Sequence, residues 1–295
     1  MKPRSHGSSI AALAGALILS LMPAAHAFDL GDLGNLGGLL NNRQLEGLIK
    51  NTVDFGDEID EDRETEIGRG MSADLLGAAP LLRNDKAQHY VNAVGRWVAL
   101  QSERPDLSWR FGILDTDSIN AFAAPGGYIF ITQGLLDVLE SEAELAGVLA
   151  HEIAHVTEKH YLQAIRRVAG ANILGDALSL AANDSRHQAA LDNVISAGTE
   201  VYARGLDKGD EFEADRRGVV LAARAGYDPY GLPALLQRLA AMNPNDSALS
   251  MLFKTHPPFS ERLEMVIASM GEEMGPYARQ PQLSPRFRKE TGRSG

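Results

Sequence analysis

The stretch His151-Glu152-Ile153-Ala154-His155 reads H-E-x-x-H. On an α-helix, residues four apart lie on one face, so both imidazoles point to the same place. A metal ion there takes one nitrogen from each. Glu152, next to the first histidine, is placed to hold a water on that metal, which is the zinc-hydrolase pattern with the glutamate as general base. The helix carrying the string is well specified. Ser141 and Glu144 form a capping box, Ser141 as N-cap and Glu144 at N3. Leu145, Val148, Leu149, Ile153 and Val156 follow at helical spacing and predict one buried face. Imidazoles inside such a helix need polar partners. The plainer alternative is a pair of hydrogen-bonded core histidines, and the intervening Glu152 favours the metal.

A catalytic zinc takes three protein ligands and keeps an open position. The chain of 295 residues has no cysteine, so any metal site draws on His and carboxylate alone, and no disulfide forms. A third histidine further along the same helix would need glycine and histidine where Glu158 and Tyr161 stand; His160 is one position out of step and is expected to face elsewhere. A second helix offers a glutamate instead, in Glu211-Phe212-Glu213-Ala214-Asp215. Glu211 and Asp215 share a face. Glu211 can bind the metal while Asp215 accepts the N–H of a ligand histidine and fixes its tautomer. Ala214 is small enough for two helices to approach closely, and Glu213 points away. Taken alone, this run is an ordinary acidic helix start.

The termini read differently from the middle. Lys2, Arg4 and His6 precede an apolar run from Ile10 to Leu21 that is too short to span a membrane, and Ala25-His26-Ala27 fits the small-x-small cleavage rule. Residues 1–27 are therefore expected to be a signal peptide, cleaved after Ala27, and the protein an exported one of the periplasm. Without cysteine, the lipid-anchored route is closed. No later stretch is long and apolar enough to span a membrane. The whole chain carries a formal charge of −11, and the signal contributes only basic residues, so the mature part is more acidic still. That argues against nucleic acid and against docking on anionic lipid. From Phe28 to Asn42 leucine recurs every third residue among Gly, Asp and Asn, and residues 28–56 are expected to be a flexible leader. From Gly271 onward Gly, Pro, Arg and Gln dominate, and residues 271–295 are expected to be a disordered tail.

Between these ends, residues 57–270 alternate period. Asp57 to Leu76 predicts a helix whose acidic first turns form a solvated face. Asn84 to Gln101 predicts a second, with Asn84 as N-cap and Trp97 and Leu100 in its apolar set. Leu107 to Leu114 alternates as a strand; Asn120 to Ala123 and Tyr128 to Thr132 add two more around the turn Pro125-Gly126-Gly127. This is a small, mostly antiparallel sheet placed before the H-E-x-x-H helix. Gln133 to Leu139 is a short helix. Beyond His155 nearly everything is helical: Tyr161 to Ala182, a break at Asn183 to Arg186, then Gln188 to Tyr202, Asp210 to Ala225, Pro229 to Met242 and Ser260 to Met270. His256-Pro257-Pro258 is not helix interior. The fold class is α+β, mostly helical.

In this order the motifs resemble peptidase family M48, a family of zinc metallopeptidases. Asn120-Ala121-Phe122-Ala123 with Pro125-Gly126-Gly127 resembles its N-A-F-x-x-P-G-G segment, and Ser141 to His160 resembles its metal helix, His160 included. Glu211 to Asp215 resembles its E-x-x-A-D, and His256-Pro257-Pro258 with Arg262 its H-P-P-x-x-x-R. The resemblance implies a zincin-like domain and a zinc-dependent endopeptidase. His151, His155 and Glu211 would bind one zinc, and Glu152 would activate water. His256 and Arg262 would stabilise the oxyanion, or His256 would close on the zinc at rest. The strand segments at Asn120, Ala121, Phe122 and Ala123, or after Gly127, would pair with extended substrate backbone; an ordinary hairpin is the alternative. Implied substrates are misfolded or unassembled envelope proteins. The competing function is a periplasmic assembly factor for outer-membrane proteins whose protease site is latched or rarely used. Membrane-embedded members, and members with a tetratricopeptide domain, carry segments not seen here, and those functions are not carried over.

Overall fold

The computed structural model describes residues 59–169 and 185–292. The expected signal peptide, the leader, the second half of the Tyr161–Ala182 helix and Asn183-Asp184 lie outside them.

The chain enters through helix α1 (Glu61–Ala78), where Arg63 N donates to the Asp60 side chain at 2.8 Å and Glu61, Asp62 and Glu64 fill the first turn. That turn is not wholly solvated as expected. Glu64 is buried and accepts hydrogen bonds from Gly126 N at 3.0 Å and Arg104 Nη1 at 2.8 Å. Helix α2 (Asp85–Ala99) is capped by Asn84, and its Ala87, Val91, Val94 and Val98 are buried. Trp97 and Leu100, counted from sequence in its apolar set, are 52% and 56% exposed.

Three strands follow, β1 (Arg110–Leu114), β2 (Ala121–Ala124) and β3 (Tyr128–Thr132), in the order β1-β3-β2. β2 and β3 form an antiparallel hairpin, whereas β1 runs parallel to β3, so the sheet is mixed rather than mostly antiparallel. The hairpin follows from the turn: Gly126 and Gly127 take φ of +74° and +88°, a conformation that favours glycine. The parallel pair arises because the chain between β1 and β2 crosses beyond β3, and alternation within a strand says nothing about which neighbour it takes. Helix α3 (Gln133–Val138) is capped by Thr132, whose Oγ1 accepts from Leu135 N at 3.1 Å.

Helix α4 (Glu142–Thr157) carries H-E-x-x-H and is the axis of the core. Ser141 Oγ accepts from Glu144 N at 3.1 Å, as the capping box requires. Glu144 bonds Glu140 N, one residue further back than the box predicts, and pairs with Arg238. Every residue from Glu142 to Val156 is buried. The predicted single apolar stripe is thus a helix enclosed all round, by α2, the sheet and helices α7 (Lys208–Arg224) and α8 (Gly231–Ala241). Alanine and glycine on its other faces let those neighbours approach. α5 (His160–Ala169) and α6 (Ser185–Arg204) pack with α1 in a second apolar cluster around Ile67, Met71, Ile165 and Val194. Ser185 and Arg186, expected in a break, are already helical.

The C-terminal part is α9 (Ser250–Thr255), α10 (Phe259–Met270) and α11 (Ser284–Thr291), the last two joined by a 3-10 stretch at Glu272–Arg279. The expected disordered tail is therefore corrected through residue 292. Phe287 is 0% exposed in the main core, and Arg286 forms an ion pair with the buried Glu142 at the first turn of α4. Tyr90 and Tyr227 donate their hydroxyls to the same carboxylate, at 2.6 and 2.8 Å. One aromatic and one arginine are a weak compositional signal inside a polar, Pro-containing segment. Among the described residues no helix is long and apolar enough to cross a membrane. We expect Phe287→Ala to cost roughly 3–5 kcal/mol of stability, the cost of emptying a buried phenylalanine site. Urea unfolding of the whole chain measures it, and an unchanged midpoint would contradict this placement of α11.

Candidate metal centre

α4 and α7 lie side by side and supply most of the site. On α7, Glu211, Asp215 and Gly218 fall on one face. A Cβ at Gly218 would stand 3.0 Å from His151 N, so glycine there lets α7 settle directly on the backbone of α4. Ala214, fully buried beside it, keeps that contact thin.

His151, His155 and Glu211 are all buried. Nε2 of His155 is 3.0 Å from Nε2 of His151 and 3.6 Å from Glu211 Oε1. Glu211 Oε2 lies 3.8 Å from His151 Nε2 and 3.7 Å from His256 Nε2. Donor atoms of His151, Glu211 and His256 all fall within 4.8 Å of one another. Glu211 Oε2 is buried and accepts no hydrogen bond; its nearest cation is Arg262 Nη1 at 3.3 Å. A buried carboxylate oxygen left without a hydrogen bond, amid imidazole nitrogens and with no thiolate nearby, suits a divalent cation such as zinc.

The electrostatics follow from burial. It lowers the pKa of His151, with Arg262 adding to the effect, and lowers that of His155 much further, helped by the other imidazoles. Both are thus neutral, the form that ligates. Burial pushes Glu152 up to about 8, with Glu211 contributing, and Glu211 likewise to about 8 against the pull of Arg262. Asp215 behaves otherwise. Burial would raise it, but the charge of Arg262 and the bonds from Arg262 and His151 outweigh that and hold its carboxyl below the usual range.

Asp215 lies behind His151, its Oδ1 2.9 Å from His151 Nδ1. Arg262 grips the same carboxylate with two of its three nitrogens, Nε to Oδ2 at 2.8 Å and Nη2 to Oδ1 at 2.6 Å. With its third arm facing Glu211, the guanidinium is committed to two carboxylates. His256 follows the end of α9 in extended conformation, φ −122° and ψ 152°. The Thr255 hydroxyl donates to Met251 O at 2.9 Å and so receives the N–H of His256 Nδ1, 3.0 Å away. That leaves the lone pair of Nε2 free on the side of Glu211.

Of the residues expected to meet substrate, Ala121 lines a 40 Å³ hollow with His151, Glu152, His256 and Arg262, floored by Val148, Leu235 and Leu252. The others have internal duties. Asn120 Oδ1 accepts from Ala121 N, and its carbonyl accepts from Thr132 N. Phe122 packs edge-on against Tyr202, whose hydroxyl donates to Ala123 O at 2.7 Å. A Cβ on Gly127 would touch Leu107 and Trp109. Glu213, expected to point away, is half exposed and ion-paired with Arg217 at 2.9 Å.

His160 is the residue that spacing misplaces. α4 stops at Glu158, Lys159 takes a left-handed φ of +57°, and α5 begins at His160. The kink turns the imidazole back, so that His160 Nδ1 is 2.9 Å from His155 Nδ1. Helical counting cannot foresee a left-handed lysine; only the match of the whole Ser141–His160 segment to a family pattern hinted at it.

Comparison with known proteins agrees with this geometry. The chain is 31% identical to a beta-barrel assembly-enhancing protease of Yersinia pestis over 208 residues, 68% of this chain and 43% of the relative. It is 28% identical to the mitochondrial metalloendopeptidase OMA1 of Arabidopsis thaliana, over 57% of this chain and 33% of the relative. A protease HtpX homolog of Dictyoglomus thermophilum is 30% identical over 54% of this chain and 63% of its own length. The matched stretch thus spans less than half of the assembly-enhancing protease. The pattern described as Peptidase family M48 matches residues 85–268, from α2 through α10 and across every residue of the candidate metal centre, and the chain belongs to that family.

Proposed function

We propose that this chain is a zinc-dependent endopeptidase of the bacterial periplasm, acting on misfolded or unassembled envelope proteins. The observation that carries the reading is the buried Glu211 carboxylate, its Oε2 without a hydrogen bond and facing His151 and His256, its Oε1 facing His155, with Glu152 one residue from the first of these histidines. The basic-then-apolar start of the chain supports export, with a signal peptide ending at Ala27. The relative named for beta-barrel assembly supports an envelope substrate.

His151, His155 and Glu211 would hold the ion. When bound, zinc supplies an acidified water and a polarised scissile carbonyl. Glu152 takes one proton from the attacking water as its oxygen bonds the carbonyl carbon, and delivers that proton to the amine nitrogen as the C–N bond breaks. Asp215 holds His151 by its Nδ1 proton, and Arg262 holds Asp215 and shields Glu211, so Arg262 is a positioning residue. Ala121, on the edge strand β2, borders the reacting space and is suited to meet extended peptide.

His256 favours a second state. Its bare Nε2 stands where a fourth donor would, which suits a closed resting site. If that closure dominates, the chain works as an assembly factor whose protease site is rarely used. Function in cells that survives Glu152→Gln would favour that alternative.

Zinc content and casein hydrolysis of protein purified from cells that export it test the reading. Wild type should hold one zinc per chain and cleave casein. Glu152→Gln should keep the metal and lose roughly 10²- to 10⁴-fold in turnover, the share of a general acid–base group. Glu211→Ala should lose the zinc. A wild type that binds no zinc sinks the proposal. Arg262→Lys, which keeps the charge but not the fork, should weaken zinc binding roughly tenfold through Asp215 and His151. A chelator titration reads this, and unchanged affinity would remove Arg262 from the site's support.

A further inference from the structure

Each ligand histidine has a second nitrogen facing away from the centre, and the two are met differently. Behind His151 stands a carboxylate, Asp215, at 2.9 Å. Behind His155 stands another imidazole, His160, also at 2.9 Å and equally buried.

Two ring nitrogens at that distance share one proton, carried by one and accepted by the other. Nε2 of His155 faces His151 and Glu211. A neutral histidine that ligates through Nε2 keeps its proton on Nδ1. His160 Nδ1 is then the acceptor, and the proton of His160 sits on Nε2. That atom looks outward to Glu213 Oε2, 3.7 Å away. Glu213 accepts from Arg217 Nε at 2.9 Å, and Arg217 Nη1 is 2.9 Å from Glu158, the residue that ends α4. With one nitrogen turned to His155 and the other to Glu213, His160 has none to offer the ion.

We infer that His160 is a positioning residue for His155, orienting its ring and holding its proton on Nδ1, with Glu213 and Arg217 completing a line of contacts to the surface. The inference rests on the proposal that His155 ligates a metal. The left-handed turn at Lys159 serves this contact, since an uninterrupted helix would carry position 160 past His155.

The test is zinc affinity, read by competition with a chromogenic chelator on the full exported protein, beside thermal melting of the metal-stripped protein. His160→Leu removes the acceptor and should weaken zinc binding roughly 10- to 100-fold, the usual cost of losing a ligand's supporting hydrogen bond. His160→Asn places an amide oxygen where Nδ1 stood and should retain wild-type affinity. His160→Gln places its amide near the outward nitrogen and should behave as the leucine variant does. If His160→Leu melts too low to assay, the Asn and Gln variants decide, and equal affinity in those two overturns the inference. Wild-type affinity in His160→Leu, with zinc lost from Glu211→Ala, overturns it while leaving the metal reading intact. A wild type without zinc overturns both.

Discussion

The bidentate pair between Arg262 and Asp215 is the contact on which the centre depends. It joins α10 to α7 among buried side chains, and through Asp215 it reaches His151 on α4. Removing one partner of such a pair strands the other charge, at roughly 3–5 kcal/mol. Here the stranded group would also be the one that fixes the orientation of a histidine. Three helices distant in sequence are thereby locked to each other at the point where their polar side chains meet. The apolar packing of α4 against α7, α8 and the sheet surrounds that point.

Around the pair the charges do not balance. Glu152, Glu211 and Asp215 are buried together with a single guanidinium. Burial raises the first two to about 8, which is the way a dry interior relieves an excess of negative charge. A divalent cation relieves it by another route, favouring ionised carboxylates and neutral imidazoles at once. The site is thus built with a deficit of positive charge that an ion corrects, and Arg262 prevents the deficit from growing too large for the helices to stay packed.

Much of this was legible from residue spacing. The i, i+4 relation within His151–His155 and within Glu211–Asp215, the cap at Ser141 and the small Ala214 all reflect local helix geometry, and the two helices bring these side chains together. What could not be read depends on contacts far apart in sequence or on backbone conformations with no residue signature. The parallel pairing of β1 with β3 belongs to the first kind, as does the commitment of Arg262 to two carboxylates. The left-handed Lys159 belongs to the second and made His160 look misplaced. The tail misled because composition weighs every residue alike, whereas Phe287 and Arg286 each find a specific, buried partner.

That tail contact bears on the order of events during folding. Arg286 and Glu142 are 144 residues apart, and Glu142 opens the helix that carries the histidines. A buried carboxylate with its arginine missing is a liability, so the first turn of α4, although Tyr90 and Tyr227 also bond Glu142, lacks its charged partner until Arg286 docks. Contacts of such long reach are slow to form and close a core late. The helix bearing the histidines therefore acquires its full surroundings only once α11 has docked, which ties the site to a contact 144 residues away along the chain.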